Sequence, residues 1–208
     1  MAKRRSSRRK KGSKRQFGAH PRKNDRRNEQ DRFLIVCEGT ETEPNYFKSF
    51  RVPKKVKGTG LNTIGVVDEA IELKDKGNYD QVWCVFDKDQ FPDHKFEQAI
   101  RKAKKHDIKV AYSNPSFELW FLLHFPNCPT CHTPKLCEDK LKQRCKNELG
   151  VEYKKNHRKM YELLDIHQSR AIKCAENLLK RYKPHRPAKD NPCTTVYCLV
   201  KELKKFEK

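Results

Sequence analysis

Apolar side chains are nearly absent from the start of the chain: across residues 1–31 Phe17 is the only aromatic. Such a segment cannot bury a core, and its composition predicts a disordered arm. The pattern changes at Phe33-Leu34-Ile35-Val36-Cys37, a continuous apolar run with β-branched members. Runs of this kind read as strands buried on both faces of a parallel sheet. The run closes on Glu38-Gly39, and a short helix is expected through Pro44-Asn45-Tyr46-Phe47, with Thr42 as N-cap. Residues 51–63 predict at most one weak strand. Val66, Val67, Ala70 and Ile71 fall at helical spacing within 64–76, and Gln81 to Phe86 is a second central strand that ends in Asp87-Lys88-Asp89. An amphipathic helix over 95–105 and a third strand over 108–112 continue the alternation, which implies a parallel α/β sheet flanked by helices. Residues 117–125 are almost wholly apolar and predict a buried helix. Beyond Cys128 the pattern is helical and more charged, with helices expected over 138–148, 169–182 and 194–206. Three regions result: a basic arm (1–31), an α/β core (32–127) and a helical C-terminal part packing on that core (128–208).

Charge then changes the picture. The 208 residues hold 48 Lys and Arg against 27 Asp and Glu, a formal net charge of +21. The first 32 positions contain 14 basic and 3 acidic residues, and the remainder is still strongly basic. A basic tail alone reads equally as a solubilising segment. A basic body as well points to nucleic acid, where each neutralised phosphate releases counterion. No run approaches the roughly 18 apolar residues of a membrane span, and the N-terminus lacks a secretory core. Nine cysteines, an odd number scattered partly inside apolar runs, suggest a reducing cytoplasm rather than a disulfide framework. These features argue against a membrane protein, a secreted disulfide domain and a coiled coil.

The chemistry gathers where two central strands end. Ligands of open parallel sheets collect at the carboxyl ends of strands. Glu38 follows the first strand, and Asp87 and Asp89 follow the second, where alternate residues of an extended segment face the same way and Lys88 points elsewhere. Converging carboxylates in a very basic chain are a pattern for Mg²⁺ or Mn²⁺, which take hard oxygen ligands and keep positions open for phosphate. Read singly, each acid is better taken as a helix cap or an ordinary loop charge; the metal reading rests on Glu-Gly and Asp-x-Asp both following buried strands.

A strand ending in Glu-Gly, then a strand ending in Asp-x-Asp, resembles the topoisomerase-primase (Toprim) domain. The longer segments LIVCEGTETEPNYFKSF, VWCVFDKDQF, SNPSFELWFLLHF and NPCTTVYCLVKEL occur in order between about Arg32 and Leu203. Together they resemble the RloB family, Toprim-like proteins of bacterial anti-phage and restriction loci. That resemblance implies that Glu38 is the Toprim glutamate, binding metal or acting as general acid or base, and that Asp87 and Asp89 bind metal. It places Glu43 near an auxiliary ligand of the related OLD-type nucleases, one residue out of register. It also implies a nuclease attacking nucleic acid, in some relatives transfer RNA, alongside an ABC-type ATPase. No Gly-x4-Gly-Lys-Ser/Thr signature occurs here, so that ATPase would be a separate protein.

Other residues carry two readings each. Glu118, inside the apolar 117–125 segment, is either a further metal ligand or a group orienting Lys88, or else a first-turn contact with Ser116. Lys88 is a candidate phosphate clamp. His124 reads as a satisfied core histidine ahead of a proton donor to a leaving group. Cys128 and Cys131 have the spacing of half a tetrahedral zinc site, which Cys137, Cys145 or His132 would complete; otherwise they are ordinary thiols. Two functions from different classes remain: a Mg²⁺-dependent endonuclease, RNA being favoured over DNA, or a non-catalytic nucleic-acid-binding adaptor for an ATPase. Oligomeric state stays open, a homo-oligomer included.

Overall fold

Residues 32–207 are described by a computed structural model; the expected arm at 1–31 lies outside them. Strand β1 (Phe33–Cys37) is buried at every position, as its unbroken apolar run requires. It is followed by α1 (Thr42–Lys48), β2 (Lys54–Gly58), α2 (Thr63–Lys76), β3 (Gln81–Asp87), α3 (Asp93–Lys105) and β4 (Lys109–Asn114). The remaining elements are α4 (Glu118–Leu122), α5 (Pro134–Arg144), α6 (Met160–Leu164), α7 (Gln168–Leu179), β5 (Cys193–Thr194) and α8 (Val196–Phe206). The sheet order is β2-β1-β3-β4-β5, with β1 to β4 parallel and β5 antiparallel to β4. From β1 the chain moves outward to β2 and then crosses to β3 on the other side. The order therefore reverses between β1 and β3, the place where such sheets form a ligand crevice.

Alternation along the strands divides the core. Phe33, Ile35, Cys37, Trp83, Val85 and Ala111 pack on one face with α1, α4 and the C-terminal helices. Leu34, Val36, Val82, Cys84 and Phe86 pack on the other face with α2 and α3. The first cluster runs without a break into Leu141, Leu164, Ala171, Leu199 and Leu203, so residues 128–207 share the core of the sheet and also supply its last strand.

Several elements differ from the sequence reading. Helix α5 begins at Pro134 because the Thr133 side chain accepts from the Leu136 amide at 3.2 Å, an N-cap followed by Pro at N1. It ends in a wide turn over Cys145–Leu149, closed by Gly150 at φ +67°. Thr42 lies inside α1, and Glu41 is its cap residue. The two-residue β5 carries no periodicity that a sequence could reveal. Among the described residues no helix is long and apolar enough to cross a membrane.

Candidate active site

The ladder between β1 and β3 continues past the strand end, with the Glu38 amide donating to the Val85 carbonyl at 2.9 Å. On the far side the Lys88 amide donates to the Ser113 carbonyl and the Asp89 amide to the Pro115 carbonyl, at 2.8 and 3.0 Å. These bonds fix three strand exits side by side. Gly58 lets two loops touch: a Cβ there would lie 2.6 Å from the Gly39 carbonyl oxygen. A Cβ on Gly39 would collide with the Glu43 carboxylate, so the small residue after Glu38 makes room for a second acid from α1.

The result is a pocket of about 560 Å³ lined by Glu38, Glu43, Asp87, Asp89 and Glu118, with Lys135, Glu138 and Lys155 at its rim. All five carboxylates named from the sequence as metal ligands therefore share one cavity. Asp89 takes a left-handed φ of +37°, a conformation Asp tolerates better than most residues. Glu38 Oε2 accepts from the Asp87 amide at 3.2 Å, and Asp87 Oδ2 accepts from the Phe117 amide at 3.1 Å. Ser116 Oγ and the Tyr153 hydroxyl both donate to Glu118, at 2.7 and 3.2 Å, and hold it against the pocket wall.

Asp87 Oδ1 is shut from solvent and has no hydrogen-bond partner among the described residues. A buried carboxylate oxygen left this way is costly unless something else neutralises it. The acids also oppose one another. Burial lifts Glu38 to about 7; the Asp87 amide works against that, while Glu43 and Asp89 add to it. Asp87 is pushed well above the usual carboxylate range by burial and then by Glu43 and Glu118. Glu43 is raised by burial and by Glu118, against hydrogen bonds from its own amide and that of Gly39 and the charge of Lys155.

Hard oxygen donors in mutual repulsion, one of them orphaned, suit a divalent cation. They fit as a donor set rather than a finished coordination sphere: among the described residues no three His, Cys, Asp or Glu side chains close around one point as an ion's ligands would.

Two other assignments change. Lys88 does not line the pocket; its Nζ donates to the Phe91 carbonyl at 2.7 Å and pairs with Asp93 at 3.0 Å. Glu118, bound to Ser116 and Tyr153, therefore does not orient it. The cations at the rim are Lys135 and Lys155, and nothing marked them among 48 basic residues. Thr42 Oγ1 ties the Lys155 segment to α1 by donating to the Lys155 carbonyl at 2.8 Å. The four-cysteine set also dissolves. Disulfides join Cys128 to Cys174 and Cys131 to Cys137, whereas Cys145 is a free buried thiol, so the expectation of unpaired thiols does not hold for four of the nine. His124 is fully buried, its Nδ1 donating to the Trp120 carbonyl at 2.9 Å, and burial lowers it to about 4. It is a neutral core histidine, but not the fully satisfied one expected: its Nε2 is buried with no hydrogen-bond partner among the described residues.

The family model for RloB-like proteins matches residues 33–203. The match spans the sheet, the pocket and nearly all of the helical part. No curated protein and no solved structure matches the chain. The chain belongs to the RloB-like family.

Proposed function

We propose that this RloB-like protein is a divalent-metal-dependent endonuclease acting on nucleic acid, RNA in preference to DNA, within a bacterial anti-phage system. The observation that carries the proposal is Asp87 Oδ1, buried and partnerless among four further carboxylates at the sheet's reversal point. Glu38, Asp87, Asp89 and Glu43 would hold Mg²⁺ or Mn²⁺, with Glu118 behind them. When bound, such an ion supplies charge stabilisation at the phosphoryl oxygens and lowers the pKa of coordinated water.

The protein's own groups divide the remaining work. Glu38, raised to about 7 by burial, would be drawn to its carboxylate form by a bound cation and so serve as a ligand. Where it stands clear of the ion it would instead accept the proton of the attacking water or ribose hydroxyl. Lys135 and Lys155, exposed at the rim, would orient the backbone phosphates that the positive body attracts. Tyr153 and Ser116 keep Glu118 from turning away. A separate ABC-type ATPase would be the controlling partner, with cytoplasmic residence and self-association as further parts of the proposal.

The test is to co-express the wild type or Asp87→Ala/Asp89→Ala with any neighbouring ATPase, challenge with phage, and sequence the ends of cellular RNA and DNA. New discrete ends are expected with the wild type only. Identical end profiles from both proteins at equal expression would favour the non-catalytic adaptor instead.

A further inference from the structure

Four cysteines lie in two close pairs where the loop after α4 meets α5 and α7. Cys128 and Cys131 lie on the loop, Cys137 in the first turn of α5 and Cys174 in the middle of α7. Cys128 lies 5.8 Å from Cys174 and Cys131 lies 5.1 Å from Cys137, Cα to Cα. Three steps of chain from Cys128 to Cys131 keep the two pairs within about 10 Å of each other. Cys131, Cys137 and Cys174 are buried and Cys128 is half-buried against the same apolar cluster. The loop enters the corner through two consecutive left-handed residues, Asn127 at φ +65° and Cys128 at φ +45°. Non-glycine residues hold that conformation only where their surroundings over-determine it.

We propose that the working form of this corner is a structural zinc site of four thiolates: Cys128, Cys131, Cys137 and Cys174. The remaining five cysteines are all free thiols, four of them buried. A chain carrying that many unpaired thiols belongs in a reducing environment, where isolated disulfides do not persist. There each disulfide takes two electrons and two protons from a cellular thiol reductant and gives two thiols. Zinc then binds the four sulfurs and up to four protons leave. The Cys-x-x-Cys on a turned loop supplies one half of the tetrahedron, and one cysteine from each of two helices supplies the other. Tied in pairs the sulfurs lack the free thiolates that zinc takes, so reduction must precede binding.

Local charge favours the thiolate form. Cys137 sits where the positive end of α5 stabilises a thiolate. Lys140, whose Nζ donates to the Thr130 carbonyl at 2.7 Å, places a cation on the same loop. The site would anchor α5, which carries Lys135 and Glu138 to the pocket rim, so zinc would hold one wall of the active site without touching substrate.

The test is metal analysis and thiol counting on full-length protein purified under reducing conditions. One equivalent of zinc is expected, retained in Cys145→Ser and in Asp87→Ala, and lost in Cys174→Ser. Loading with Co²⁺ should give a thiolate-to-cobalt charge-transfer band that Cys174→Ser weakens and Cys145→Ser leaves unchanged, which keeps the claim testable if a variant folds poorly. Chelation in denaturant should release the zinc and expose nine reactive thiols. Five thiols without zinc would establish the disulfides instead, and nine thiols without zinc would overturn the site equally.

Discussion

Two acids, the buried Asp190 and the half-buried Asp87 with its Oδ1 shut from solvent, show two different uses of a carboxylate inside a protein. Asp190, just before β5, has Oδ2 bound by His185 Nδ1 and by the Arg186 amide, the latter at 2.8 Å. His185 in turn meets the Tyr112 hydroxyl at 2.8 Å through Nε2 and stacks on its ring. Those hydrogen bonds satisfy the oxygen on the spot and pin the crossing into β5 to β4. Asp87 has one oxygen satisfied and one with no partner, and its nearest charged neighbours are other acids. A repelled carboxylate of this kind is relieved by a proton or by a cation, and the proposed metal site takes the second route. The paired acid is structural, and the orphan is the group on which the proposed cation site rests.

Substitution should separate the two most sharply. Asp87→Asn is expected to cut nuclease activity by at least about a hundred-fold, while the melting temperature stays level or rises because a repelled buried charge is removed. Asp190→Ala should do the opposite. It should cost about 2 kcal/mol by stranding His185 and its partners, and the folded fraction should keep its activity. Cleavage assays alongside thermal melts read both; an Asp87→Asn protein that is destabilised yet active would break the contrast.

The pH dependence comes next in size. Glu38 titrates at about 7 in the folded chain against 4.5 ordinarily. The native state therefore binds the extra proton, and the stability owed to this group is lost as pH rises from 4.5 through 7. Asp87 and Glu43 are shifted in the same direction. Metal-free protein should melt lower at pH 8 than at pH 6, and Mn²⁺ should raise the melt more at pH 8. Glu38→Gln should flatten the slope, and an unchanged slope would assign it to other groups.

Smaller effects probe the rim. Lys155→Ala should weaken substrate binding and reduce the slope of log affinity against log salt by about 1, with little change in the rate of bound substrate. Tyr153→Phe removes one donor from Glu118 and should cost about 1 kcal/mol or less, read as a modest fall in rate without a change in binding.

The sequence carried the parts of this contrast that depend on strand ends. Unbroken apolar runs located β1 and β3, and residues directly after a buried strand must sit at the sheet's edge, so Glu38, Asp87 and Asp89 were legible together. Glu43 and Glu118 joined them through motif text and burial cost. Lys88 misled because proximity in sequence says nothing of direction; its side chain turns back to Asp93 instead. Lys135 and Lys155 were hidden by the abundance of lysine, and they reach the pocket from segments 97 and 117 residues beyond Glu38. Cys174 was hidden for the same reason of distance: it joins Cys128 across 46 residues, and only the packing of α7 on the loop brings them together. Spacing reveals neighbours along one element and stays silent about contacts that the whole core must form first.

The most direct measurement is Mn²⁺ binding to metal-free protein at pH 8, followed by electron paramagnetic resonance, for the wild type and Asp87→Asn. Saturable binding by the wild type, with affinity reduced at least about tenfold in the variant and competed by Mg²⁺, is the expected result. Equal binding by both proteins, or none by either while the protein is folded, would contradict a cation site built on the orphaned carboxylate.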